Sequence, residues 1–236
     1  MQIEAHLLIL ALDTSSRGGS AALLRNEGIV CEREGDASRT HGERLPGELM
    51  RILRDERVGI RDIDLYAVAT GPGSFTGLRV GIATIQGLAL PNGRLVAPVS
   101  TFDALVARAG DGRRPVAAWI DAHRGEVFAA LYSPDGQLVQ PASSLSPDAT
   151  LSAWRSALAD LPEVIFTGDG AVRYADVIHE RLGSRGIPAP AAGPLAGTIG
   201  AIAFVERSRA VHPHAIVPTY VRRPDAEIAR DRAART

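Results

Sequence analysis

Two aspartates, Asp13 and Asp121, are the best candidates for binding or catalytic residues, because each follows an apolar run typical of a buried strand. Carboxylates at the ends of such strands can hold a hydrated metal ion and the phosphates of a nucleotide. Thr14 is the third candidate nucleotide-binding residue. The same carboxylates can instead shape turns by accepting hydrogen bonds from the backbone N–H groups that follow them. The residues alone leave both interpretations open.

A glycine-rich stretch, residues 69–81 with the sequence ATGPGSFTGLRVG, suggests several kinds of phosphate or nucleophile site. A Walker phosphate loop requires Gly-Lys-Ser/Thr, and the stretch has no lysine. The dinucleotide fingerprint G-x-G-x-x-G fails because Gly71, Gly73 and Gly77 span one residue too many. A nucleophile elbow requires glycine two positions before the serine, where proline stands here. We therefore interpret the stretch as a tight turn followed by a helix that Ser74 caps.

The six histidines and the single cysteine make no recognisable set of metal ligands. No two histidines stand four residues apart on a predicted helix, and Cys31 alone allows neither a disulfide nor a cysteine-based metal site. No catalytic residue, metal ligand or tightly bound cofactor is therefore predicted, and any nucleotide binding is expected to be weak or vestigial. His41 opens a predicted helix, where it could cap the helix or contact a partner. His123 and Arg124 follow Asp121 in a loop where they could meet a phosphate.

Apolar patterns divide the chain into strands and helices that position these residues. The expected strands are residues 7–12, 20–25, 29–34, 63–69, 95–99, 115–120, 126–132 and 164–167. The expected helices are residues 41–57, 74–90, 101–109, 149–161, 172–182 and 195–209, and residues 186–193 are expected to form a loop. This order of elements is typical of an α/β fold.

The helix expected at residues 74–90 is apolar over most of its circumference. Such a helix is normally buried on most sides. We therefore expect one face to pack on the chain's own sheet and the rest to pack on a second molecule. Gly77 and Gly81 are four residues apart and share a face, which would allow a partner helix to approach closely.

The chain repeats itself at an offset of 108 residues. Asp13 falls on Asp121, the segment Ala-Ala-Leu at 21–23 falls on the same segment at 129–131, and both copies end at a glycine turn. Each copy predicts a β-meander followed by alternating helices and strands, which indicates a duplicated two-lobe α/β fold. We assign residues 1–103 to the N-terminal lobe and 104–236 to the C-terminal lobe. In this arrangement the two aspartates would face a shared cleft.

The composition is that of a globular protein with ample core, with 45% hydrophobic and 22% charged residues in a chain of 236. A net charge of −1 argues against broad, sequence-independent binding of nucleic acid, which needs a positive excess. The N-terminus lacks the features of a signal peptide, and no apolar run reaches the ~18 residues of a membrane span. We expect a cytoplasmic protein with no membrane contact.

Several motifs together resemble the TsaB family, also called YeaZ, of bacterial tRNA-modification proteins. They are LALDTS at 10–15, SRTH at 38–41, GPGSFTGLRVG at 71–81, DAHRGEVF at 121–128 and PTYVR at 218–222. The match covers most of the chain, and the glycine-rich run is very specific. The resemblance implies a duplicated actin/Hsp70-like fold (ASKHA, ribonuclease H-like). His123 and Val221 depart from the family pattern, in which arginine and leucine are more usual.

The resemblance also implies a function. The chain would be a non-catalytic, complex-forming subunit of the machinery that makes N6-threonylcarbamoyladenosine at position 37 of tRNAs reading A-starting codons. Its partners would be the catalytic paralogue TsaD and the ATPase TsaE, which use ATP and a metal ion, and tRNA would be bound only through the complex. The His-x-x-x-His pair with which TsaD binds metal has no equivalent at residues 99–105.

Pairing with TsaD, or with a second copy of this chain in isolation, is implied to use the first two helices of the N-terminal lobe. The interface residues expected on these helices are His41, Leu45, Leu49, Phe75, Gly77, Leu78, Gly81, Ile82 and Ile85.

The main alternative is an actin-fold ATPase or small-molecule kinase that uses Asp13 and Asp121. It would require a complete phosphate loop in each lobe, and only residues 13–19 are partly suitable. A protease function, sometimes attached to this family, is disfavoured because the sequence has neither a metal-binding pair nor a nucleophile elbow.

Overall fold

The computed structural model of the protein describes residues 6–190 and 193–222. Within them, the strands are β1 (Leu8–Asp13), β2 (Ser20–Arg25), β3 (Gly28–Glu34), β4 (Leu65–Gly71), β5 (Leu95–Ser100), β6 (Val116–Asp121), β7 (Val127–Tyr132), β8 (Leu138–Leu145), β9 (Val164–Thr167) and β10 (Gly186–Pro188). The helices are α1 (His41–Asp55), α2 (Phe75–Ala89), α3 (Thr101–Ala109), α4 (Pro147–Ala153), α5 (Arg155–Leu158), α6 (Asp169–Arg173), α7 (Ala175–Leu182) and α8 (Ala196–Val205). Short 3₁₀ helices lie at Ile60–Asp62, Gly183–Arg185, Arg207–Arg209 and Pro213–Ala215.

Two five-stranded sheets share one topology, with the orders β3-β2-β1-β4-β5 and β8-β7-β6-β9-β10. In each sheet the first three strands form an antiparallel meander. The remaining two strands run parallel to the first strand of that meander. The same five-strand order in both halves confirms the predicted duplicated two-lobe α/β fold.

The internal repeat does not keep one offset across neighbouring strands. β2 and β7 correspond at the predicted offset, since Ala21 and Ala129, 108 residues apart, both face the helices that follow their meander. Ala21 pairs with Leu12 in the first sheet, and Ala129 pairs with Trp119 in the second. Leu12 and Trp119 are 107 residues apart, so β1 and β6 correspond at an offset one residue shorter.

This shift separates the two strand-end aspartates. At the offset of 107, Asp121 corresponds to Thr14, and the predicted superposition of Asp121 on Asp13 is wrong by one residue. Side chains of successive strand residues point to opposite faces of a sheet. The two carboxylates therefore do not occupy equivalent positions in their lobes, although each ends the first strand of its sheet.

The chain divides into two compact units, and the predicted boundary between residues 103 and 104 is wrong. The first unit comprises residues 6–108 and 193–218, and the second comprises 109–190 and 219–222. The predicted boundary cuts through α3, a continuous helix. It also assigns α8 to the second lobe, whereas α8 packs on β1, β2 and β4 of the first sheet.

Side chains of the first sheet hold the start of α8. The Ser20 hydroxyl oxygen accepts hydrogen bonds from the N–H groups of Leu195 and Ala196, at 3.0 and 2.9 Å. The Glu32 carboxylate accepts the N–H of Gly197 at 2.7 Å. These bonds satisfy N–H groups that a helix start leaves unpaired, and a carboxylate there also complements the helix dipole. Residues far apart in sequence therefore complete the first lobe.

Each unit has its own apolar core. In the first, α1 and α2 pack on one face of the sheet, and Ile216 near the end of the unit joins the same core. In the second, Trp119 lies at the centre, with Trp154 and Phe166 in edge-on contact at ring-centroid distances of 6.2 and 5.3 Å. Edge-on packing is a favoured arrangement of aromatic rings.

Some local predictions differ from the structure. β8 is absent from the predicted elements, because its sequence lacks apolar alternation and contains Pro141, which an edge strand tolerates. The helices predicted at 149–161 and 172–182 are each divided, at Trp154 and at Tyr174. β10 lies in the segment predicted to be a loop. No helix in the described part of the chain has the length and apolarity needed to cross a membrane.

Candidate functional site

The β1–β2 turn, residues 14–19, is where an actin-fold enzyme would be expected to bind phosphate. Asp13 is buried at the end of β1, and its carboxylate accepts the N–H of Ser15 at 2.8 Å. Further along, the Ser16 hydroxyl oxygen accepts the N–H of Gly19 at 3.1 Å. The bond to Ser15 favours the turn-forming interpretation of Asp13, because the carboxylate accepts an N–H group of the turn that follows it.

Thr14 is completely buried beneath α2. A Cβ atom at Gly77 would collide with the backbone oxygen of Thr14, and one at Gly81 would collide with the Thr14 side chain. A Cβ at Gly73 would lie 2.6 Å from the backbone oxygen of Ser15. These glycines therefore allow α2 and the residues before it to pack closely on the β1–β2 turn of the same chain. The prediction that Gly77 and Gly81 receive a partner helix is wrong, because that face lies inside the lobe.

Other segments of the same chain cover further sides of α2. Ser74 caps the helix as predicted, its hydroxyl accepting the N–H of Gly77 at 3.2 Å. The Gln86 side-chain amide donates to the Pro213 carbonyl at 2.8 Å, and Ile216 is buried in the core that α2 shares with α1. A second molecule is therefore not required to bury the apolar circumference of α2, because residues near the end of the first unit cover part of it.

Most of the predicted interface residues lie in the interior of the first lobe. The side chains of these five residues are at most 5% exposed: Leu45, Leu49, Leu78, Ile82 and Ile85. All but Leu78 belong to the core of the first lobe, and Leu78 is itself fully buried, so the prediction that these residues contact a partner is wrong. Phe75 is half-buried, and the Arg79 guanidinium lies 4.0 Å from the centre of its ring. The apolar stripes of both helices are thus used for the lobe's own core.

A group of exposed, mostly small residues on α1 and α2 forms what we call the outer helix face, and the charged residues Glu43, Arg51 and Arg54 are exposed on α1 as well. The exposed members of the outer helix face are Gly42, Pro46, Gly47 and Met50 on α1 and Thr76, Arg79, Ala83 and Gly87 on α2. A Cβ at Gly42, Gly47 or Gly87 would meet no atom within 4 Å. These glycines are therefore open to the outside, in contrast to Gly77 and Gly81.

Arg44 is a buried residue that the sequence analysis did not single out. Its side chain is 2% exposed, and it pairs with Glu48 at 2.5 Å. It also donates to the Gly18 carbonyl and lies 2.7 Å from Nδ1 of His41. The other ring nitrogen of His41 lies 3.0 Å from the Ser16 carbonyl oxygen. His41 thus faces the β1–β2 turn, and the spacing of residues 41, 44 and 48 on one helix side was the available signal.

In the second lobe, Asp121 is likewise engaged in its own turn. Its carboxylate accepts the N–H of His123 at 3.0 Å and pairs with Arg173 at 3.0 Å. The N–H of Asp121 donates to the Asp169 carboxylate at 2.9 Å, and burial raises the pKa of Asp169. Among the residues that the structure describes, no three histidine, cysteine, aspartate or glutamate side chains are grouped to hold a metal ion.

Arg222 connects two of the motifs noted in the sequence. Its guanidinium donates to the Glu126 carboxylate at 2.8 Å and to the Ala122 carbonyl at 3.0 Å. The Ser144 hydroxyl also donates to Glu126, at 2.7 Å. These hydrogen bonds, from Ser144 first and then from Arg222, hold the pKa of Glu126 below its ordinary value. The end of the motif at 218–222 therefore fixes the turn between β6 and β7.

The repeated sheet order and the turn after each first strand define a duplicated fold of the actin-like ATPase type. The activator of 2-hydroxyisocaproyl-CoA dehydratase from Clostridium difficile shares this fold, with a TM-score of 0.51 at 11% identity. That match covers 86% of this chain and 96% of the other, and the likeness concerns the fold alone. Residues 22–152 match the family model described as TsaD: tRNA N6-adenosine threonylcarbamoyltransferase.

Two relatives that match nearly the whole chain identify the family more narrowly. The tRNA threonylcarbamoyladenosine biosynthesis protein TsaB of Bacillus subtilis is 30% identical over 230 residues, covering 94% of this chain and 96% of that protein. The solved structure of YeaZ from Pseudomonas aeruginosa is 30% identical with a TM-score of 0.72, covering 91% and 99% of the two chains. The chain therefore belongs to the TsaB (YeaZ) family.

Substitution of the buried glycine on α2 should destabilise the first lobe. In Gly81→Ala the new methyl group would collide with Thr14, at a cost of about 1–3 kcal/mol. In Gly87→Ala on the same helix the methyl group points into open space, and better helix propensity should add about 0.5–1 kcal/mol. Thermal unfolding followed by circular dichroism measures both. Equal shifts of the two midpoints would contradict an internal role for Gly81.

Removing the Arg222 guanidinium should loosen the β6–β7 turn. Arg222→Gln is expected to cost about 0.5–1 kcal/mol at neutral pH, since the pair with Glu126 is partly exposed. The pKa of Glu126 is depressed in the folded protein, so the pair contributes above the ordinary value of 4.5 and is lost as pH falls through the folded value. The difference in melting temperature between variant and wild type should therefore shrink as pH falls below 4.5.

The control for Arg222→Gln is Arg113→Gln. The side chain of Arg113 has no hydrogen bond or ion pair within the described ranges 6–190 and 193–222. Its replacement should leave the melting temperature unchanged across the same pH range. A pH-independent loss in Arg222→Gln, or the same loss in both variants, would argue against the Glu126 pair.

Proposed function

We propose that this chain is a non-catalytic subunit of the machinery that makes N6-threonylcarbamoyladenosine at position 37 of tRNA. The observation that carries this proposal is its similarity, over nearly the whole of both chains, to the Bacillus subtilis protein named for that biosynthesis. A cytoplasmic location follows from the same assignment. ATP, the metal ion and the transfer of the threonylcarbamoyl group are assigned to partner subunits, and tRNA is bound through the assembled complex.

The state of the strand-end residues supports the non-catalytic part of the proposal. Thr14 is sealed beneath α2, Asp13 is bonded to its own turn, and Asp121 is paired with Arg173. The ATPase or kinase alternative would need the β1–β2 turn to receive a phosphate, and the turn is held by its own bonds and by α1. The start of α3, where TsaD would carry its His-x-x-x-His pair, has no histidine.

The outer helix face is the surface that we assign to pairing with a TsaD-type paralogue. Glycines and Ala83 on this face let the backbones of two helix pairs approach closely, and Met50 supplies an adaptable apolar contact. Charged Arg79 lies on α2 within the same face, where it could meet the rim of a partner surface. The same face would support a homodimer in isolation, and TsaE would contact the resulting pair. These assignments replace the buried residues predicted from the sequence.

A charge placed on the outer helix face should prevent pairing while the lobe remains folded. Ala83→Glu would place a bulkier, charged side chain in the interface, where its size and the cost of desolvating the carboxylate oppose close approach, and we expect affinity for the paralogue to fall by at least about thirtyfold. Ala153→Glu is the matched control, because Ala153 is an exposed residue at the end of α4 in the second lobe. Affinity is measured by calorimetry with the purified paralogue from the same organism.

Two outcomes would contradict the assignment of this face. Wild-type affinity in Ala83→Glu would show that pairing uses another surface. Equal loss in Ala153→Glu would show that added negative charge, rather than its position, weakens the complex. Circular dichroism of both variants establishes that each remains folded, as expected for exposed positions.

The reconstituted modification reaction tests whether this chain takes part in chemistry. Asp13→Asn keeps a side-chain oxygen that can accept the N–H of Ser15 but removes the negative charge. Since we assign Asp13 no reacting partner, tRNA modification by the complete set of subunits should stay within about twofold of wild type. A loss of a hundredfold or more in a folded variant would favour the ATPase or kinase alternative.

A further inference from the structure

His41 and Arg44, on the first turn of α1, together hold one half of the β1–β2 turn. We call this group the clasp: the two side chains and the carbonyl groups of Ser16 and Gly18. Arg44 donates to the Gly18 carbonyl and to Nδ1 of His41, and Nε2 of His41 lies 3.0 Å from the Ser16 carbonyl oxygen. Both ring nitrogens are therefore occupied, one by a donor and one by an acceptor.

The partners of His41 allow only one form of its ring. A guanidinium has donors and no acceptor, so Nδ1 must accept from Arg44 across 2.7 Å. A carbonyl is only an acceptor, so Nε2 must carry the hydrogen that is donated to Ser16. The ring is then neutral. A protonated ring would direct an N–H at the guanidinium, and two donors of like charge would face each other.

The charged groups around His41 come from two elements. Arg44 and Glu48 lie on its own helix, and Asp13 lies at the end of β1. The adjacent Gly19 of the turn, whose Cβ would lie 3.2 Å from the imidazole ring, contributes no charge. Burial first, and then Arg44, lower the pKa of His41, and the opposing effects of Asp13 and Glu48 do not reverse this.

We propose that the clasp is a proton-operated lock, closed while His41 is neutral and opened when His41 gains a proton. Opening frees residues 16–19 from α1. It leaves the start of the turn in place, because Thr14 is packed against α2 and the Ser15 carbonyl accepts the N–H of Ser74 at 2.7 Å. Loss of the clasp would also disturb the start of α1, and hence pairing through the outer helix face; this last consequence rests on the proposed function.

The direction of the pH effect follows from proton linkage. The closed clasp disfavours the proton, so the pKa of His41 is lower in the closed state than its ordinary value of 6.5. Above that ordinary value the balance between the closed and open states does not depend on pH. As pH falls below it, the open state binds the proton first, and the open fraction rises by up to about tenfold per pH unit. The open fraction stops rising once pH falls below the pKa of His41 in the closed state.

Amide hydrogen exchange on the isolated full chain, between about pH 5 and 7.5, tests the lock. His41→Gln is the reference, since its amide can accept from Arg44 and donate to Ser16 but does not titrate. Comparing rates at the same pH cancels the intrinsic pH dependence of exchange. Two amides report opening: that of Gly19, bonded to Ser16, and that of Gly35, bonded to the Gly19 carbonyl. We expect both to exchange increasingly faster in wild type than in the variant as pH falls.

The amides of Ser15 and Ser74 are internal controls. They belong to the half of the turn that α2 holds, so their wild-type to variant ratio should stay constant with pH. His212→Gln replaces an exposed histidine and should behave as wild type. A pH-independent ratio at Gly19 and Gly35 would overturn the proposal. Removal of the pH dependence by His212→Gln would overturn it as well.

A measurement on the wild-type chain keeps the proposal testable even if His41→Gln does not fold. Nitrogen chemical shifts of the ring should show hydrogen on Nε2 alone at neutral pH, with protonation only below the ordinary value of 6.5. Hydrogen on Nδ1, or protonation at or above that value, would overturn the lock. These readouts use the chain alone, so they are independent of whether Ala83→Glu affects pairing.

Discussion

The packing of α2 directly on the β1–β2 turn is the contact on which the first lobe depends. Gly73, Gly77 and Gly81 remove the side chains that would keep the helix away from Thr14 and Ser15. The helix start is then held by its serine cap and by the Ser74 amide bonded to the turn. Because interiors are close-packed, one added methyl group at such a contact has to be accommodated by backbone movement. The most specific sequence motif of this chain is therefore explained by packing.

The same contact supports our proposal that this chain, whose fold is shared with ATPases, is a non-catalytic subunit. The first half of the β1–β2 turn packs against α2, and Arg44 and His41 of α1 are hydrogen-bonded to carbonyl groups in its second half. The N–H groups of Ser15 and Gly19, which a phosphate could otherwise bind, are bonded within the turn itself. The surface that we propose for pairing is the outer helix face of α1 and α2. The same two helices therefore pack on the turn with one side and present this face with another.

Sequence reasoning could predict eight of the ten strands in the described residues, the cap at Ser74 and the duplication, because these depend on local patterns and on a repeat. It could not decide whether a glycine on α2 packs against the chain's own turn or faces outwards. Gly77 and Gly87 look alike in sequence, but Gly77 lies against Thr14 whereas nothing lies near Gly87. Sequence reasoning also placed α8 in the wrong lobe. The start of α8 is held in the first lobe by hydrogen bonds to Ser20 and Glu32, and these residues are more than 160 positions away in the sequence. The predicted equivalence of Asp13 and Asp121 is wrong because the offset between β1 and β6 is one residue shorter than that between β2 and β7. Such a shift in strand register cannot be recognised from the amino-acid composition of the strands.

The attachment of α8 to the first sheet affects the order in which the protein is completed on the ribosome. Ser20 emerges early, yet the helix start that it caps follows 175 residues later in the chain. The continuous segment 109–190, which makes up most of the second unit, is synthesised before α8 appears. During translation the N-terminal lobe therefore waits with one face of its sheet uncovered, and an exposed apolar sheet face is prone to wrong contacts. The first lobe thus begins before the second unit and is completed only after most of that unit has been made.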